Sequence, residues 1–181
     1  AVFFDHEEVG STSVQGANSV TMSDAITRVS AALTGCVSSP DFHAACTKRS
    51  FILSIDMAHA IHPNYASKHE SSHAPTLNGG FIIKQNANQR YVCRLLLLVA
   101  EHLIFLSILV RFLTIYLVLL HDHATSRYAT NGITGFVVRE LGRIADVPVG
   151  EFAVRNDCPC GSTIGPAISS KTGIRTVDAG M

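Results

Sequence analysis

Apolar positions along the chain fall in short runs broken by polar, turn-rich stretches, with one exception: Leu95 to Leu120 is apolar almost without a break. The run Ala1-Val2-Phe3-Phe4, closed by Val9-Gly10-Ser11, predicts a short buried strand. Helical periodicity follows over Ser19–Leu33 and again over Asp41–Lys48. Phe51–Ile55 and Phe81–Lys84 have the length and composition of strands, and Ala58–Gly80 between them is a loop rich in His, Asn, Ser and Pro. Beyond the apolar stretch the pattern predicts a helix over Asn131–Ile144, a strand at Phe152–Val154, a helix starting near Ser162 and a last strand near Thr176. Ser162 or Thr163 has the right chemistry to cap that last helix. Strands separated by helices predict an α/β fold with a mostly parallel central sheet. Residues 1–91 and 127–181 then form parts of one domain, and 92–126 is an apolar insertion holding a helix at about 95–120.

Composition narrows the classes. The length of 181 residues suits one domain with a real core. Fourteen basic and 14 acidic residues cancel without a long charge run, which argues against a nucleic-acid partner. Hydrophobic residues make up 47%, much of it in the one apolar segment. The 5 cysteines, Cys36, Cys46, Cys93, Cys158 and Cys160, are too scattered for a disulfide framework and suit a reducing compartment. Cys158-Pro159-Cys160 is half of a metal-binding pattern with no second half, which predicts one structural thiol beside an incidental one. No basic, signal-like leader opens the chain. The missing initiator Met and the start inside an apolar run lead to the expectation of a fragment.

Chemistry concentrates at two places. Glu7 and Glu8 follow the predicted first strand, and Asp56 follows Phe51–Ile55. Two parallel strands would deliver all three carboxylates to one sheet edge, where open α/β sheets form their clefts. Adjacent carboxylates point different ways, so one can bind a metal while the other handles a proton; a solvated acidic turn is the plainer alternative. Carboxylates near imidazoles suit zinc. His59 and His62 stand three apart, but Pro63 opposes a helix through them, so a substrate-binding or loop role fits each better than ligation. His69 and His73 are expected to be solvated, and Lys84 by itself would be a surface lysine closing a strand.

Several longer motifs occur together: Phe4-Asp5-His6-Glu7-Glu8-Val9-Gly10-Ser11, Asp56-Met57-Ala58-His59-Ala60-Ile61-His62-Pro63-Asn64-Tyr65, Lys68-His69-Glu70, Arg155-Asn156-Asp157 and Cys160-Gly161-Ser162-Thr163-Ile164-Gly165-Pro166. In this order they resemble the aspartyl aminopeptidase family of zinc metallopeptidases. The resemblance implies an α/β catalytic domain, two zinc ions, homo-oligomeric assembly, and removal of N-terminal Asp or Glu from peptides. It implies Glu7 as general base, Glu8 and Asp56 as zinc ligands, and His59 as a substrate contact. Lys84 and a tyrosine, Tyr91 or Tyr128, would bind the acidic side chain of the substrate. The physics agrees: zinc lowers the pKa of its water, a carboxylate takes that proton, and a lysine beside a phenol suits an acidic ligand.

The departures from the family pattern carry expectations of their own. The resemblance implies a zinc-binding histidine and a bridging aspartate ahead of Glu7-Glu8, and a further histidine after Val177-Asp178-Ala179-Gly180. Of the implied ligands this sequence holds Glu8 and Asp56. A site with so few ligands predicts that the chain alone is inactive. The family motif Asn-x-Asn-Gln-Arg-Tyr-Ala-Thr-Asn is split here between Asn86–Tyr91 and Arg127–Asn131, with the Arg-Tyr pair at both ends of the insertion. An intron retained in frame would leave that duplication. Alternatively Leu95–Leu120 spans a membrane, being long enough for about 30 Å of hydrocarbon despite Arg111 near its centre. A membrane-anchored non-enzymatic protein and a gene-model product that does not fold are thus the competing readings. The expected location is cytoplasmic, with vacuolar and membrane as the alternatives.

Overall fold

The computed structural model describes residues 1–35, 39–86, 127–155, 157–158 and 160–181. Tyr91, the split motif's first Arg-Tyr pair, and the helix or span expected over Leu95–Leu120 lie outside those residues.

In chain order the elements are α1 (Thr21–Thr34), α2 (Pro40–Arg49), β1 (Phe51–Ile55), a 3-10 turn (Pro63–Lys68), β2 (Phe81–Gln85), α3 (Gly132–Ala145), β3 (Val149–Ala153), α4 (Ile164–Thr172) and β4 (Arg175–Gly180). Local chemistry explains several ends. Ser39 Oγ accepts the Phe42 amide at 3.1 Å with Pro40 in the first turn, which starts α2. Asn131 Oδ1 accepts the Ile133 and Thr134 amides at 3.0 Å while Thr134 Oγ1 accepts the Asn131 amide at 3.0 Å, a capping box that starts α3.

The four strands among the described residues form one sheet in the order β1-β4-β2-β3. β1 runs parallel to β4 and β2 parallel to β3, and the two pairs meet antiparallel where Ile82 faces Gly180 and Ile83 faces Ala179. The mostly parallel α/β sheet expected from the pattern is therefore present, with one antiparallel seam. Ile83, Val138 and Val177 form the core between α3 and the sheet, with Phe81 and Val149 packed against them. Each such side chain contributes about 1.5–3 kcal/mol on burial.

The two faces of the sheet differ in chemistry. Alternation puts Leu53, Val177 and Ile83 on the face covered by α3, and Ser54, Asp178 and Lys84 on the other. α4 covers that second face, with Gly165 directly against the Asp178 carboxylate.

The expected strand at residues 1–4 is absent, and Phe3 is 94% exposed. The backbone that follows closes on itself: Gly10 N–H donates to Glu7 O at 3.0 Å, Ser11 N–H to His6 O at 2.8 Å and Asn18 N–H to Ser11 O at 3.0 Å. A strand needs a ladder partner, and residues 1–4 have none among the described residues. β3 begins three residues before the expected Phe152, because the Pro148 carbonyl accepts the Phe81 amide at 2.9 Å and opens the pairing with β2 there. Among the described residues no helix is long and apolar enough to cross a membrane.

Candidate active site

β2 and β4 bring together the groups that matter most. Their register continues from Ile83 opposite Ala179 to Lys84 opposite Asp178, while Ser54 of β1 stands on the other side of Asp178. Oppositely charged cross-strand neighbours favour such a pairing. Both charged residues are buried, Lys84 at 4% exposure and Asp178 at 1%. Of the two readings of Lys84, the plain one, a surface lysine closing a strand, does not hold: its position within β2, between β4 and β3, buries it.

Asp178 is caged. Its carboxylate accepts the Ala129 amide at 2.5 Å and the Thr163 hydroxyl at 2.8 Å, and its own amide donates to Thr130 Oγ1 at 2.9 Å. Thr163 thus holds the strand instead of capping α4 with its side chain, although it does occupy the cap position. Burial pushes the Asp178 pKa up, opposed by the Ala129 amide, the Ser54 and Thr163 hydroxyls and the Lys84 charge. Any side chain at 165 would run into this carboxylate, so Gly165 is required for the approach of α4.

Lys84 Nζ reaches Asp56 Oδ2 at 3.0 Å, just past the end of β1. Asp56 itself is half-exposed. The Tyr128 ring lies 5.9 Å from Lys84 Nζ. Burial first, then the Cys160 thiol and the charges of Asp178 and Asp56, push the phenol far above its ordinary value, so Tyr128 stays a protonated donor. Tyr128, the described tyrosine of the split motif, stands beside Lys84.

Glu7 joins the same group by charge. Its pKa is raised, first by partial burial and then by the negative charges of Asp56 and Glu8, with Lys84 opposing. It arrives on the His6–Ser11 turn and not at a strand end, so the expected delivery of three carboxylates by two parallel strands is corrected. Left-handed backbone at His6, Gly10 and Ser11 makes that turn, and His6 Nδ1 to Ser13 Oγ at 2.6 Å braces it. Glu7 also lines a cavity of about 340 Å³ shared with Ser162 and Thr163 at the start of α4.

The remaining expected residues are less gathered. Glu8 and His59 are exposed. His69 is half-buried, contrary to expectation, with its Nδ1 inside the fold; His73 is exposed as expected and pairs with Glu70 at 3.1 Å. Cys158 and Cys160 are free thiols. Among the described residues no three His, Cys, Asp or Glu converge as a metal site. Glu8 and Asp56 are two carboxylate donors, and Asp56 is already paired with Lys84, so the donor set among the described residues does not close around a zinc ion.

Asp178 is the site residue that sequence reasoning passed over. The alternation Thr176-Val177-Asp178-Ala179 was the available signal, since it places two polar side chains on one face of a strand whose other face is apolar.

The comparisons with known proteins agree with this architecture. Residues 1–100 and 115–181 match the family model described as aminopeptidase I zinc metalloprotease (M18). The chain belongs to this M18 family. The probable aspartyl aminopeptidase of Ricinus communis is 42% identical over 177 residues, covering 98% of this chain and 28% of the relative. The aspartyl aminopeptidase of Dictyostelium discoideum is 40% identical, covering 99% of this chain and 30% of its own length. Among solved structures, the cryo-EM structure of the Ape4 and Nbr1 complex superposes with a TM-score of 0.71 at 36% identity, over 98% of this chain and 26% of that one. The chain thus spans about 30% of the curated M18 relatives it matches. The family match pauses at residues 101–114, inside the apolar run.

Proposed function

We propose that this chain carries the acid-recognising part of a zinc aminopeptidase that removes N-terminal Asp or Glu from peptides. The observation that carries this is the buried Lys84 beside the protonated Tyr128 phenol, at the sheet end where Glu7 and Asp56 also gather. A buried ammonium has three donors; one goes to Asp56, and the others suit a substrate carboxylate. Tyr128 adds a neutral donor, and Asp178 holds Lys84 in place by charge. Tyr91 is the alternative tyrosine for that role.

Glu7, its pKa raised, is the group suited to hold and return a proton at the scissile bond. Glu8 and Asp56 are this chain's share of the zinc donors, for two ions in the family pattern. His59, exposed and three residues after Asp56, is the further substrate contact. Two carboxylates among the described residues leave the metal centre open, which supports an inactive isolated chain. Homo-oligomeric assembly and a cytoplasmic location complete the proposed reading.

Equilibrium binding tests the proposal. Peptides beginning with Asp are expected to bind the chain about 10-fold tighter than the same peptides beginning with Asn, a difference of roughly 1.4 kcal/mol. Lys84→Met is expected to erase that difference. Equal affinity for both peptides in the unsubstituted chain refutes the receptor role.

A further inference from the structure

Beside the site lies a larger cleft, of about 710 Å³, between the loop that runs from His59 to His69 and the end of β3. Its two walls are tied together: Arg155 Nη1 donates to Ser67 O at 3.2 Å and Cys158 Sγ to Lys68 O at 3.8 Å. Aromatic rings form its sides. His62 and Tyr65 pack at 5.0 Å between ring centroids, Lys68 Nζ sits 5.0 Å over the Tyr65 ring, and Phe152 meets His69 edge-on at 6.4 Å.

Charge in the cleft is positive. Lys68 and Arg155 face one carboxylate, Asp157, which Arg155 grips through two bonds of 2.9 and 2.7 Å. Among the described residues Lys68 is thereby left as the cation of these three without a carboxylate partner. His62 Nδ1 accepts the Asn64 amide at 3.1 Å, which places that ring's proton on Nε2 as a donor. His69 Nδ1 is a buried polar atom with no hydrogen-bond partner among the described residues. A cross-braced cleft with spare donors and aromatic walls is built for an anionic ligand of some length.

Its position says which ligand. Phe152 packs edge-on against Tyr128 at 6.5 Å, and Tyr128 lies 5.9 Å from Lys84 Nζ, so one aromatic wall joins the two sites. His59 lines the cleft three residues after Asp56. An extended peptide advances roughly 3.3–3.6 Å per residue, so a chain whose first side chain sits at Lys84 enters the cleft with its second to fourth residues.

We propose that this cleft binds the peptide on the carboxyl side of the scissile bond and selects acidic residues there, with Lys68 as the specificity-determining cation. The assignment rests on the aminopeptidase reading above. The test is anisotropy of C-terminally labelled tetrapeptides on the full chain. Asp-Ala-Glu-Glu is expected to bind about 10-fold tighter than Asp-Ala-Gln-Gln. Lys68→Gln should remove most of that ratio and Lys68→Arg should keep it, while Lys84→Met weakens both peptides alike. Equal binding of the two peptides, or a ratio untouched by Lys68→Gln, overturns the cleft proposal without touching the Asp-over-Asn preference at the first residue. Indifference to the first residue with the Glu preference intact overturns the substrate assignment instead.

Discussion

Glu7 and Lys84 couple electrostatically, yet the segments that carry them are built in different ways. Glu7 rides on a turn in the first fifty residues, where neither α1 nor α2 has a buried side chain and Val2, Phe3, Val9 and Val14 face solvent. Lys84 stands in a strand flanked by β4 and β3, within a row whose members are almost wholly buried. The family's most recognisable motif is therefore on the least packed region, and the acid receptor is on the best packed one. Recognition needs rigidity at the charge that selects, because a buried cation displaced from its partners loses the desolvated environment that makes it selective.

The largest effect should come from the packed half. Gly165→Val drives a side chain into the caged Asp178 carboxylate and should cost about 3 kcal/mol in urea unfolding. Lys84→Met should cost roughly 2 kcal/mol, less than the usual loss for a broken buried pair because Asp56 is half-exposed. A comparable loss from a change in the first fifty residues would erase the contrast.

Asp178 makes the same contrast visible in pH. A carboxyl whose folded pKa is raised holds its proton more firmly when folded, so its contribution is complete below the ordinary Asp value. That contribution is lost as pH rises through the raised value. Asp178→Asn should flatten this fall in stability across the acid range, measured by denaturant midpoint against pH. The smallest effect belongs to the exposed N-terminal segment: Phe3→Ser should shift stability by under about 0.5 kcal/mol. A larger loss would reveal packing of that segment that its exposure contradicts.

Much of the fold was legible because each helix and strand of the sheet announces itself locally. Phe51–Ile55 and Phe81–Lys84 are apolar runs between turn residues, and Asn131 caps α3 as its side chain dictates. Residues 1–4 misled because an apolar run specifies burial but not a ladder partner, and pairing is a tertiary fact. In the site, motif resemblance pointed to Glu7, Asp56 and Lys84, whose charges do couple. Taken alone, Lys84 reads as exposed because lysine is rarely buried, and its burial follows from a register that no local pattern encodes. Asp178 escaped for the same reason: only the antiparallel meeting of β2 and β4 brings it to Lys84.

Side-chain NMR of the chain, following the Lys84 ammonium and the Tyr128 ring during titration with Asp-Ala and Asn-Ala dipeptides, addresses the acid receptor itself. Asp-Ala should shift both resonances together while Asn-Ala leaves them in place. Equal shifts with the two dipeptides, or shifts with neither, would contradict a receptor for acidic N-terminal residues at Lys84.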